Sequence, residues 1–158
     1  MAKGAARRID NMERMLKTAL LALVIPMYAA AADGVIQSSA EIAATLAKAT
    51  ANAGMKTAAV SNADQHRINV VNRVSPGTPL AHAGNSEVHY IIDGRGTVVI
   101  GGTISRPAGG GAATIEGGET RQVSKGDVIF IPAGVPHWYK EVQGAITYLE
   151  VRFEETKK

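Results

Sequence analysis

From Arg67 onward, apolar residues recur at every second position in short runs, and glycine, proline or aspartate separates the runs. A period of two places alternate side chains on opposite faces, so these runs predict β-strands. They are Ile68–Val74, Glu87–Ile92, Thr97–Ile100, Ala113–Ile115, Thr120–Val123, Asp127–Ile131, His137–Val142 and Ile146–Phe153. Asp93-Gly94, between the second and third runs, reads as a hairpin turn, because a two-residue turn needs φ > 0. Many short strands with turn signals between them indicate a sandwich or a barrel. Upstream, residues 38–54 read as a helix: Ser38 offers an N-cap, Glu41 lies in the first turn and Gly54 offers a stop. Its apolar face is thin, with Ile42 and Leu46 joined mostly by alanine. Packing on the β-domain, packing on a partner subunit and a loosely held arm all remain open for it.

The first residues follow a different pattern. Arg7, Arg8, Arg14 and Lys17 precede the apolar run Thr18–Tyr28, and Ala29–Ala32 follow it. A basic region, a short apolar region and small residues before a cleavage point predict a secretory signal peptide over residues 1–32. The run falls short of the roughly 20 apolar residues of a membrane span, and Pro26 interrupts it. No stable membrane anchor is therefore expected after cleavage. The remaining chain divides into an N-terminal helix and linker (33–60) and one β-domain (61–158).

The leader also explains the charge. The chain has 17 basic and 14 acidic residues, and the leader holds five of the former and two of the latter, which leaves twelve of each. A nucleic-acid partner calls for a basic excess on the folded part, and none remains. The chain has no cysteine, so no disulfide supports the fold outside the cytoplasm.

One run carries the most chemistry. Gly126 is followed after five residues by Pro132, then by Gly134, His137 and, four positions on, Glu141. A strand that breaks at a Pro-Ala-Gly corner delivers one histidine at the start of the next strand. Upstream, His82 is followed by Glu87 and, seven positions later, by Gly94. These two spacings resemble the two motifs of the cupin superfamily. The first motif's leading histidine falls at Leu80, and Glu141 stands where the second motif ends in asparagine. The resemblance covers about residues 68–153. It implies a cupin-type jelly-roll β-barrel and a homodimer; with the helix read above, the chain is expected to be all-β with a short N-terminal α-helix.

The resemblance also implies that His82, Glu87 and His137 are metal ligands facing the barrel interior. Two imidazoles and a carboxylate with open positions suit a divalent ion: Fe, Mn, Zn, Ni or Cu. The alternative is a metal-free polar pocket in which Glu87 hydrogen-bonds His82. Strand alternation puts His89 on the face of Glu87, and Tyr139 and Glu141 on the face of His137. His89, Tyr139 and Glu141 are therefore expected to line the pocket. The cupin fold hosts dioxygenases, isomerases and lyases as well as binding proteins, so it does not name a reaction. Two readings stand: a periplasmic or secreted metal-dependent enzyme acting on a small polar organic molecule, and a non-enzymatic module binding a small ligand without metal.

The exported protein is expected to begin at or next to Asp33, because Ala30 and Ala32 supply the small residues before the cut. Intact-mass analysis of the exported protein checks this. A chain still carrying Leu20–Ile25 in the membrane fraction refutes it.

Overall fold

The computed structural model describes residues 34–155; the expected signal peptide lies outside them. Helix α1, Ser39–Lys48, starts on a capping box: the Ser38 hydroxyl accepts from Glu41 N, and the Glu41 carboxylate accepts from Ser38 N at 2.7 Å. It is shorter than the sequence predicts and buries no residue. Gly54 does not stop it. Ala53 and Gly54 (φ +47° and +71°) instead form a tight turn closed by the Asn52–Met55 pair, which leads into strand β1. That strand, Met55–Ala63, occupies most of what reads as linker, because its alternation is masked by small residues and its edge is largely exposed. Among the described residues no helix is long and apolar enough to cross a membrane.

The remaining strands are β2 (His66–Arg73), β3 (Asn85–Ile100), β4 (Thr103–Ser105), β5 (Thr114–Glu116), β6 (Glu119–Ser124), β7 (Val128–Ile131) and β8 (His137–Glu154). The main sheet runs β1-β2-β8-β3-β6, β7 also pairs with β3, and β4 and β5 form a separate hairpin. This is the expected cupin jelly roll.

Two long antiparallel strands, β3 and β8, hold it together, and both bend midway. The first half of β3 pairs with β7 and with the last half of β8; its second half pairs with β6 and with the first half of β8. The Asp93-Gly94 hairpin expected from sequence does not form. The chain passes through these residues as a bulge, because β8 pairs along both sides of it. The ladder shifts between Ile91/Asp93, Gly94/Gly96 and Thr97/Val98. Each shift re-aims the side chains that follow, so Ile91 and Val98 both enter the core although their spacing is odd. The core packs Val71, Ile91, Val98, Val123, Ile129 and Ile131 against Tyr139, Ile146 and Tyr148.

Gly94 marks the bend. Its φ is +82°, and a Cβ there would lie 2.0 Å from Ala145 O. Gly134 has a similar φ of +77°, but nothing within 4 Å of that position. Alanine at either site incurs about 1–2 kcal/mol of left-handed strain. Gly94→Ala is expected to lose about 2 kcal/mol or more beyond that through the backbone collision. Urea-unfolding midpoints of the two variants check it; equal midpoints would remove the crossing of β3 and β8 from this position.

Candidate metal centre

The corner after β7 aims His137. Val135 N bonds Pro132 O at 3.1 Å and closes the turn, while Gly134 N bonds His82 O at 2.9 Å. Ala133 N donates to the hydroxyl of Ser86, which is fully buried and itself donates to Glu155. Leu80 and His137 then exchange backbone bonds of 3.1 and 2.8 Å. The two segments read as motifs are thus stitched together backbone to backbone. Side chains of directly opposed residues share a face, so Leu80 stands beside His137 over the same cavity.

His82, Glu87 and His137 bring their ligand atoms within 4.8 Å of one another. His82 Nε2 is 3.3 Å from Glu87 Oε1, and His137 Nε2 is 3.8 Å from Glu87 Oε2. His137 Nδ1 donates to Val135 O at 3.1 Å, which leaves Nε2 with its lone pair toward the cluster. Arg152 donates to His82 Nε2 at 3.0 Å, so that nitrogen also carries no proton. Glu87 Oε1 is buried without a hydrogen-bond partner. Two imidazole nitrogens that carry no proton of their own and one carboxylate oxygen therefore converge, with the Arg152 guanidinium as the cation beside them. The two spacings to Glu87 put its carboxylate within reach of an ion shared with either imidazole. The residues present fit a divalent metal.

Electrostatics favours the ligating forms. Burial acts on Glu87, 1% exposed, to raise its pKa. The His89 hydrogen bond and the nearby His137 and Arg152 outweigh burial and hold the carboxyl down at about 2. Burial pushes both His82 and His137 below the usual imidazole value, toward the neutral form that binds metals.

The cavity over this cluster measures about 220 Å³. His89 and Tyr139 line it. His89 uses both nitrogens: Nε2 donates to Glu87 Oε2 at 3.1 Å, and Nδ1 accepts from the Tyr139 hydroxyl at 3.1 Å. It also forms a second, adjoining group with Glu87 and Glu150. Tyr139 and Tyr148 stack at 4.8 Å. Burial raises the pKa of Tyr139 far above the usual phenol value and that of Tyr148 to about 12, so both remain protonated.

Glu141 is not in this wall. It is exposed and accepts from Thr97 Oγ1 at 2.7 Å. The cause is the ladder shift between Thr97–Glu141 and Val98–Tyr139: Lys140 is the extra residue, and strict alternation from His137 ends there. The cavity gains instead Arg73, Tyr148, Glu150, Arg152 and the rim residue Trp138, whose Nε1 donates to Gly77 O at 2.7 Å. Tyr148, Glu150 and Arg152 recur at every second position, which is the signal in the sequence that puts them on one face. A larger cleft of about 320 Å³ lies over β6 and β7 and holds none of these imidazoles.

No curated protein matches the chain. Solved structures similar to it share the fold. A cupin superfamily protein from Desulfitobacterium hafniense is 13% identical, with 79% of this chain and 100% of that one covered, at a TM-score of 0.51. The protein TT1209 from Thermus thermophilus is 17% identical, with 78% and 100% covered, at 0.51. A predicted oxalate decarboxylase from Thermotoga maritima is 17% identical, with 64% and 81% covered, at 0.50. Residues 57–148, more than half of the chain, match the family model described as Cupin. With that match, and with both motif segments brought to one cavity of a jelly roll, the chain belongs to the cupin family.

Proposed function

We propose that this chain is an exported, metal-dependent cupin that acts on a small polar organic molecule held in the barrel cavity. The observation that carries the reading is the convergence of His82 Nε2, Glu87 Oε1 and His137 Nε2, none of which carries a proton of its own. A bound divalent ion would act there as a Lewis acid on a ligand oxygen. The protein's own part is to exclude water, orient the molecule and supply hydrogen bonds. The Tyr139 hydroxyl keeps its proton at neutral pH and donates a hydrogen bond to His89, which holds that imidazole on Glu87, and the stacked Tyr139–Tyr148 pair offers a flat wall. The predicted oxalate decarboxylase shares only the fold, so it names a first assay, not a substrate.

Export rests on the leader, and a homodimer on an exposed apolar stripe. Tyr90 pairs with Val128, and Val88 with Phe130, across β3 and β7. Val128 and Phe130 are 66% and 54% exposed, so a second copy has an apolar sheet face to cover.

The metal-free binding module has its own supporting observation. The Arg152 guanidinium bonds His82 Nε2 and lies 3.3 Å from Glu87 Oε1, so it supplies positive charge to the cluster without an ion. Metal entry requires this guanidinium to leave His82. Metal retention separates the two readings. Purified without chelator and loaded in turn with Fe(II), Mn(II), Ni(II), Cu(II) or Zn(II), the protein is expected to keep about one ion after gel filtration. His137→Ala is expected to lose most of it, and Leu80→His to hold it more tightly, because Leu80 faces the same cavity. Retention of none by the wild type favours the metal-free module.

Acid stability follows from the same groups. Glu87 titrates lower in the folded chain than its ordinary value of 4.5. Its contribution is therefore full above that value and is lost as pH falls toward about 2; a difference of this size corresponds to about 3 kcal/mol. His82 and His137, also lowered, act with the same sign just below the ordinary imidazole value, because the unfolded chain binds protons first. Chelator-treated protein is expected to lose stability gradually below about pH 6.5 and steeply below about pH 4.5. Urea unfolding across pH 8 to 3 checks it; a flat profile would contradict an ionised buried Glu87.

A further inference from the structure

Two guanidiniums line the cavity, and they are not equivalent. Arg152 lies within 4.0 Å of both Glu87 and Glu150. Arg73 has no carboxylate within that distance among the described residues. The contacts the structure gives it are neutral. NH2 lies 3.2 Å from Met55 Sδ, the guanidinium carbon lies 5.5 Å from the Tyr139 ring centroid, and the Tyr148 hydroxyl lies within hydrogen-bonding reach. Arg73 Nε, like Arg152 Nε, is buried with no hydrogen-bond partner, but only Arg152 Nε has a carboxylate oxygen beside it, 3.3 Å away.

A buried N–H of a permanent cation, set among a thioether and phenol groups, is unfavourable unless something else completes it. The arginine is also held in place. It sits at the end of β2, between Met55 of β1 and Ile146 of β8. Gly77 passes so close that a Cβ there would come 3.0 Å from Arg73 NH1. The Trp138 bond to Gly77 O fixes that approach. A planar fork on rigid strands, short of an anionic acceptor, matches the two oxygens of a carboxylate.

Resting on the metal-centre reading for what occupies the other end, we infer that Arg73 is a carboxylate receptor. The molecules this cavity takes are small carboxylates, with one carboxylate on Arg73 and a second oxygen group reaching toward His82, Glu87 and His137 along the Tyr139–Tyr148 face. A volume of about 220 Å³ suits a molecule of a few carbon atoms.

Trp138 is the only tryptophan in the chain and lies at the cavity rim, so its fluorescence reports occupancy. The probe is malonate, titrated into the full chain, with uncharged malonamide as control. Malonate is expected to saturate the signal by about 10 mM, and malonamide to leave it unchanged. Arg73→Gln is expected to weaken malonate at least about tenfold with metal retention unaltered. Should that variant fail to fold, Arg73→Met, which extends the apolar contact with Met55 and Tyr139, replaces it with the same expectation. The series is repeated after chelator treatment. Arg73-dependent binding that survives there supports the receptor even where the metal reading fails. Malonate affinity unchanged in the Arg73 variants, equal binding of malonamide, or no malonate binding in either state overturns the receptor, and leaves the metal-retention result to stand separately.

Discussion

A carboxylate taken out of water must be compensated where it lies, and Glu87 sets that requirement for the whole site. An isolated buried charge is among the most unfavourable features a fold can carry. Here the hydrogen bond from His89, the charge of Arg152 and the proximity of His137 together more than reverse the effect of burial. These partners come from β3, β8 and the corner that starts β8. The carboxylate is held well below its ordinary value where all three meet, so its environment ties site assembly to barrel assembly. One oxygen still lacks a hydrogen-bond partner, which is the feature that turns a compensated charge into a ligand.

The barrel meets this demand through two strands that change partners midway. β3 and β8 pair with each other along most of their length, and each also belongs to both halves of the sheet system. A straight pair would give one flat ladder. The glycine-marked bulges let the same two strands turn, present Glu87 and His89 at one level and Val98 at another, and keep the core continuous. The corner Pro132–Pro136 does the equivalent work between β7 and β8, and its bonds to His82 and Ser86 lock the two ligand-bearing segments in register. Geometry at the centre is thus set by backbone hydrogen bonds, which tie the loop bearing His82 to the corner and the strands beside it.

The two arginines divide the cavity electrostatically. Arg152 balances the acidic end, where Glu87 and Glu150 lie. Arg73 leaves the tyrosine end positive without an internal anion. A carboxylate cluster and an arginine with no carboxylate beside it, lining one cavity, are the basis on which we propose selection by charge as well as size.

Much of this was legible in the chain because it is local. Period-two alternation announced most strands, the Ser38–Glu41 capping box announced the helix start, and the Pro132-Ala133-Gly134 corner announced a directed His137. The spacings of His82, Glu87 and His137 carried their common destination, and the structure does bring them together. What required the tertiary structure was everything that depends on register between distant segments. The extra residue at Lys140 removed Glu141 from the face that alternation assigned to it. Pairing of β8 across Asp93-Gly94 turned an apparent hairpin into a bulge, and pairing with β2 turned an apparent linker into β1. Arg73 and Arg152 read as ordinary charged strand residues until the ladder set one beside Tyr139 and the other beside Glu87. Turn chemistry and side-chain periodicity are properties of a few consecutive residues, so the sequence determined the strands, the corner and the ligand spacing by itself. Strand register, bulge placement and the balance of buried charge arise only when residues far apart in the chain compete for the same space and hydrogen bonds, and those the fold alone decided.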